Sequence, residues 1–176
     1  MPEDAPETLL LTGTVGAGKT TTAFAIGELL QDRGIPHAVI DLDEIRRQWP
    51  HPPADPFGEA VQMANLRDVA ANYRRAGARR LVLAGVLEDQ DKRADFARAL
   101  GGTAPVVCRL AVELDRVRER LRSRHEPGAA REWHLARSGE LDAILIAGAV
   151  ADHVVPVAAE APSAVAERVL AEVGWD

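Results

Sequence analysis

Cysteine and lysine are nearly absent from this 176-residue chain. The one cysteine, Cys108, excludes a disulfide framework or a cysteine metal site, and inside the apolar run PVVCRLAV it reads as a small buried strand residue. Lysine occurs only at 19 and 92, every other basic residue being arginine. No apolar run is long enough to span a bilayer, and the acidic start MPEDAPET lacks a charged-then-apolar export signal, so a cytoplasmic protein with no membrane contact is expected. Positive charge is outnumbered, 21 basic against 27 acidic residues for a net −6, which disfavours broad binding to nucleic acid or anionic lipid. No internal repeat or linker divides the sequence, so residues 1–176 are expected to form a single domain, long enough to bury its own core. Nothing in the sequence speaks to oligomeric state.

What is present starts at GTVGAGKTT, Gly13 to Thr21, which fits G-x-x-x-x-G-K-[ST] at Gly13, Gly18, Lys19 and Thr20. Glycines allow successive backbone N–H groups to converge on phosphate oxygens at the positive end of the helix that follows. Gly13, Thr14, Val15, Gly16, Ala17, Gly18, Lys19, Thr20 and Thr21 are therefore candidate nucleotide-binding residues, with Lys19 reaching the β- and γ-phosphates and the Thr20 hydroxyl joining a Mg²⁺ shell. The context agrees: an apolar, strand-like run at Thr8–Leu11 precedes the loop, and helical periodicity runs from Thr20 to Gln31 until Gly34. In a chain with so little lysine, one standing directly after the last glycine is not a compositional accident.

Further strand-like runs occupy His37–Leu42, Arg80–Val86, Pro105–Val112 and His153–Val157, separated by segments long enough for crossover helices. That alternation predicts a three-layer α/β/α fold on a five-stranded parallel sheet of the P-loop NTPase type. The proline-rich stretch PHPPADPFG, residues 50–58, reads as a loop beside the site, ahead of a helix over Gly58–Ala76. The amphipathic run Ser163–Val173 reads as a packing helix.

In VIDLDEIRRQW, Asp41 and Asp43 stand at the end of the second strand, where a parallel sheet exposes its ligand crevice. One carboxylate stays on the strand and the other begins the next turn, so they can divide the work of holding Mg²⁺ and accepting a proton from a substrate hydroxyl. Asp43 could instead only cap a helix over Glu44–Gln48. Arg46 is a candidate clamp for an anionic substrate, or one of a solvated pair with Arg47.

The phosphate loop followed by D-L-D-E-I-R resembles the P-loop small-molecule kinases, closest in pattern to the adenylylsulfate kinases, which carry D-G-D-x-[IV]-R there; shikimate kinases are similar in placing D-x-D at the same strand end. The resemblance implies an ATP- and Mg²⁺-dependent phosphotransferase with Lys19 and Asp43 catalytic, Thr20 and Asp41 at the metal, and Asp43 and Arg46 at the acceptor. Leu42 replaces the middle glycine of D-G-D, and the acceptor is not carried over. Kinases of this kind also carry arginines on a lid as R-L-x-x-R, matched by Arg120, Leu121 and Arg124, with a further arginine matched by Arg137. A lid at about 120–137 would bring guanidinium groups over the transferring phosphoryl group and exclude water; the alternative is a surface helix laced with charge pairs. Trp133 and His134 beside it admit two readings, contact with a ligand or plain packing.

Switch-type ATPases place an acid at a strand end to orient water, but in RRLVLAGVLED the acids Glu88 and Asp89 come late. A kinase acting on a small molecule is therefore favoured over a nucleotide-hydrolysing regulatory protein.

Overall fold

A computed structural model describes residues 7–175; the first six residues of the acidic N-terminal segment lie outside the described part. Five strands, β1 (Glu7–Thr12), β2 (His37–Asp41), β3 (Arg80–Ala84), β4 (Val106–Val112) and β5 (His153–Val157), form one sheet in the order β2-β3-β1-β4-β5 with every pairing parallel. The expected α/β architecture is thus observed, with β5 bounded as the sequence reading has it and the other strand ends within two residues of it. The third strand stops at Ala84, short of Val86, and frees Gly85 to Glu88 to turn over the sheet edge.

Among the described residues seven helices accompany the sheet: α1 (Lys19–Asp32), α2 (Leu42–Ile45), α3 (Glu59–Arg75), α4 (Gln90–Ala99), α5 (Leu114–Arg124), α6 (Ala129–Gly148) and α7 (Pro162–Glu172). Alternation along each strand divides the core in two. Leu9 and Leu11 of β1, with Val82, Cys108 and Leu110, join the cluster beneath α1 and α7, whereas Leu10, with Leu81, Leu83 and Val107, joins Leu66, Ala70 and Phe96 on the other face. Leu9, Leu10 and Leu11 are all fully buried, each burial contributing about 1.5–3 kcal/mol. Burial on both faces explains why these strands read as unbroken apolar runs. Cys108 lies inside, its thiol pushed up to about 12 by burial and then by Glu172, so it stays protonated and inert.

Gly34, in a left-handed conformation (φ +67°), ends α1: its N–H donates to Gln31 O while the Ile35 N–H donates back to Leu30 O. The start of α3 is held by Asp55, whose carboxylate accepts from the N–H groups of Glu59 (2.7 Å) and Ala60 (2.9 Å). The loop at 50–58 is therefore tied to the helix it precedes. The connection leaving β1 runs to β2 and the one leaving β3 runs to β4, in opposite directions, which opens a crevice at the carboxyl ends of these neighbouring strands.

Candidate active site

Strand β1 runs directly into the glycine-rich loop. Gly16 and Gly18 take left-handed conformations (φ +82° and +94°) that turn the chain into α1. A Cβ on Gly16 would stand 3.2 Å from Leu121 Cγ, so the loop also needs glycine there for close approach. Thr14 is buried, its hydroxyl donating to Ser138 O of α6 at 2.5 Å. Lys19 Nζ donates to the loop's own carbonyls, Gly13 O at 2.8 Å and Thr14 O at 3.0 Å. Burial pushes the Lys19 ammonium down to about 8, more strongly than Asp43 and Asp41 hold it up; Arg46 adds to the lowering. Such a cation, satisfied by neutral dipoles only, is poised for an anion.

The two aspartates are separated as the strand end dictates. Asp41, the last residue of β2, accepts from Thr20 Oγ1 at 2.7 Å with one carboxylate oxygen and from the N–H groups of Asp43 (2.9 Å) and Glu44 (3.4 Å) with the other. Asp41, not Asp43, is therefore the N-cap, and the short helix is Leu42–Ile45 rather than Glu44–Gln48. The helix starts early because Asp41, still extended, already presents an oxygen to the first free N–H groups. Relieved of capping, Asp43 lines the cleft, and its carboxylate accepts from Arg46 Nη2 at 2.5 Å.

A cleft of about 730 Å³ opens above the strand ends. The loop side contributes Val15, Gly16, Gly18, Lys19, Thr20 and Thr21, joined by Arg124 and Trp133. The rest of the lining is Asp43, Arg46, Phe57, Glu59, Gln62, Met63, Val86, Glu88, Lys92, Asp95, Phe96, Arg137 and Leu141. Of the residues singled out from sequence, Gly13, Thr14, Ala17, Asp41 and Arg120 sit behind or beside this wall. Arg120 Nη1 lies 3.9 Å from where a Cβ on Gly18 would stand, at the helix start. Leu121, between the two arginines of R-L-x-x-R, is buried against the loop, so α5 is anchored there by its apolar side.

α5 and α6 are broken at residues 125–128, as the segment HEPGAA suggested. A charge pair of the surface-helix kind occurs between Asp115 and Arg118 (3.2 Å), but Arg120 and Arg124 make no ion pair among the described residues. Arg137 pairs with Glu88 at 3.2 Å and Glu140 at 3.7 Å. Trp133 is 59 % exposed at the cleft, its ring meeting His134 edge-on at 5.0 Å between centroids. His134 stacks on His125 with ring centroids 4.4 Å apart, and its buried Nδ1 has no hydrogen-bond partner among the described residues. Burial, then His125 and Arg124, hold its imidazole below the usual range.

Sequence reasoning missed Lys92, which hydrogen-bonds Glu59 at 2.8 Å and Glu88 at 3.1 Å across three elements. Burial alone would lower the Lys92 ammonium, but those two carboxylates outweigh it and hold it above its ordinary value. Its rarity was the available signal: both lysines of the chain face one cleft.

Among the described residues no group of three or more His, Cys, Asp and Glu could hold a metal ion. The Thr20 hydroxyl and Asp41 carboxylate form a pair of hard oxygens of the kind Mg²⁺ uses when water and phosphate complete its shell. No helix of the described residues is long and apolar enough to cross a membrane.

Three solved structures share the fold over nearly the whole chain. An adenylylsulfate (APS) kinase of Mycobacterium tuberculosis in complex with AMPPNP and APS superposes with a TM-score of 0.64 at 21% identity, covering 98% of this chain and 99% of that one. A tunicamycin resistance protein of Deinococcus radiodurans gives 0.67 at 23% identity, over 96% and 95% of the two chains. Shikimate kinase from Acinetobacter baumannii in complex with shikimate gives 0.60 at 21%, over 98% and 95%. No curated protein matches the sequence. The family model for adenylylsulphate kinase matches residues 5–100, from the start of β1 through the glycine-rich loop, both aspartates and Lys92, and by that match the chain belongs to the adenylylsulphate kinase family of P-loop kinases.

Proposed function

We propose that this protein transfers the γ-phosphoryl group of Mg²⁺-bound ATP to a hydroxyl of a small molecule. The observation that carries this reading is the division between the aspartates: Asp41 is bonded to Thr20 beside the phosphate loop, while Asp43 is turned into the cleft and steadied by Arg46. In this reading the loop N–H groups and Lys19 hold the β- and γ-phosphates, with Gly13 to Thr21 as the nucleotide site. Thr20 and Asp41 would hold the Mg²⁺, which supplies charge neutralisation at the phosphate oxygens when bound.

Asp43 accepts the proton of the acceptor hydroxyl as that oxygen bonds to the γ-phosphorus and the bond to the β–γ bridging oxygen breaks, leaving ADP. Arg46 keeps the Asp43 carboxylate oriented and contacts the acceptor. Arg120, Arg124 and Arg137 supply positive charge as the segment 120–137 closes, which stabilises the transferring group and keeps water out. Closure hinges on residues 125–128, and its reach is limited by the Thr14 bond to Ser138, which pins α6 one residue past Arg137. The nucleotide and small acceptors held by solved relatives, AMPPNP with APS in one and shikimate in another, support an ATP site beside an acceptor site. A cytoplasmic single-domain enzyme without a nucleic-acid or membrane partner completes the proposal.

Two measurements test it. Mass spectrometry of candidate acceptors incubated with ATP should detect gain of one phosphate, and ADP release should be slow until an acceptor is added; acceptor-independent turnover would favour a nucleotide-hydrolysing regulator. Magnesium titration should then separate the aspartates. Asp41→Asn keeps an amide oxygen for the cap and should recover partly at high Mg²⁺ by mass action. Asp43→Asn should lose about 10²–10⁴ in rate without recovery. Near-normal phosphorylation by Asp43→Asn at an unchanged Tm would refute the base assignment.

A further inference from the structure

Cations in the cleft are of two kinds. Beside the phosphate loop, Lys19 bonds only neutral carbonyls, and Arg124 makes no ion pair among the described residues. Elsewhere in the cleft the cations outside the lid are already matched: Arg46 with Asp43, and Lys92 with Glu59 and Glu88. Asp95, also facing the cleft, accepts from the exposed Arg98. Between and around these pairs the wall is apolar, with Phe57, Met63, Val86, Phe96 and Leu141. Phe57 is 69 % exposed and Phe96 is 3 % exposed, so one ring projects as a platform and the other closes the floor.

From this arrangement we infer that the acceptor is a hydroxylated compound without net negative charge, held by one apolar face on Phe57 and Met63 and by hydroxyls donated to Glu59, Glu88 and Asp95. The inference rests on the kinase reading and deepens it. An anionic acceptor would have to separate Lys92 from Glu59 and Glu88, or Arg46 from Asp43, and would meet the carboxylates so released. Leaving a carboxylate unpaired beside a second anion is costly in a partly desolvated site. A neutral acceptor keeps the pairs and uses their spare lone pairs. Gln62 does not compete for it, because its amide Nε2 already donates to Leu42 O at 3.0 Å.

Matched pairs that differ in charge provide the test: shikimate and its methyl ester, gluconate and sorbitol, adenylylsulfate and adenosine. Phosphate gain is read by mass spectrometry, and Kd by calorimetry on the AMPPNP-loaded protein. The uncharged member should be preferred about tenfold or more, as expected where like charges would otherwise meet. Glu59→Gln, which takes one carboxylate from Lys92, should narrow that preference at unchanged Tm. Equal or better use of the acids, or a preference indifferent to Glu59→Gln, would overturn the inference. If no compound gains phosphate while ADP is released from ATP at an unstimulated rate, the kinase reading itself fails and the inference falls with it. An acid that is phosphorylated would spare that reading and remove only the acceptor class.

Discussion

At the scale of single residues, Lys19 shows how a loop readies itself for an absent anion. Its ammonium sits among carbonyls with a pKa lowered to about 8 by burial, so nucleotide phosphates should restore a higher value. Near pH 8.5 nucleotide binding should therefore take up protons, seen by calorimetry in buffers of different ionisation enthalpy and abolished in Lys19→Met. Uptake that persists in the variant would assign the proton elsewhere. The linkage to stability has the matching sign. Because the folded value lies below the ordinary lysine value of 10.5, the folded protein binds fewer protons between about 8 and 10.5. The destabilising contribution of Lys19 is thus fully present below about 8 and relieved as pH rises through that window. Below about pH 8, Lys19→Met should accordingly raise the Tm of the nucleotide-free protein while lowering turnover by about 10²-fold or more, the scale of losing a preorganised donor to developing charge.

Among elements, the departure at Leu42 has a structural counterpart. Leu42 is fully buried between the end of β2 and the turn after β3, and a Cβ on Gly85 would fall 2.4 Å from its Cδ1. Gly85 is the residue that admits a leucine where the family pattern has glycine. Gly85→Ala should cost about 1–3 kcal/mol by overpacking, and the penalty should shrink in a Leu42→Ala background; denaturant titration of the four members of that cycle measures the coupling. Additive effects would mean the two positions do not share the space. The broken α5–α6 unit makes its own prediction. Arg124 reaches the cleft without an ion-pair partner among the described residues, so Arg124→Ala should leave the Tm nearly unchanged and lower kcat more than nucleotide affinity. Loss of affinity alone, with kcat intact, would make Arg124 a ground-state contact.

The molecule as a whole is closed by its last described residues. Trp175 is 2 % exposed in the cluster shared by α1 and α7, Arg80 lies 4.8 Å over its ring, and its carbonyl accepts from Arg33 and Arg80 at 3.3 Å each. Trp175→Ala should cost about 3–5 kcal/mol by the cavity it leaves, measured in urea, with kcat of the remaining folded fraction unchanged because this cluster lies at the opposite end of the sheet from the cleft. A loss of kcat in fully folded protein would contradict that separation.

Much of this protein was legible in its residues. Five apolar runs of strand length, with crossover segments between them, are sufficient for a parallel sheet, because strands covered on both faces leave a continuous apolar trace. Spacing within GTVGAGKTT likewise determines a phosphate loop: glycines set the backbone, and the next residue is carried to the helix start. The same local logic offered only Asp43 as a cap, whereas Asp41 takes that role, since the choice turned on which carboxylate was still on the strand. It also missed Lys92 and Glu59, which stand 33 residues apart yet meet within hydrogen-bond distance, with Glu88 on the same ammonium. Only tertiary structure brought them together, because pairing between side chains on α3, α4 and the turn after β3 depends on where those elements cross the sheet. Which cations remain unpaired, and hence which end of the cleft suits phosphate, is for the same reason a property of the folded chain rather than of any stretch within it.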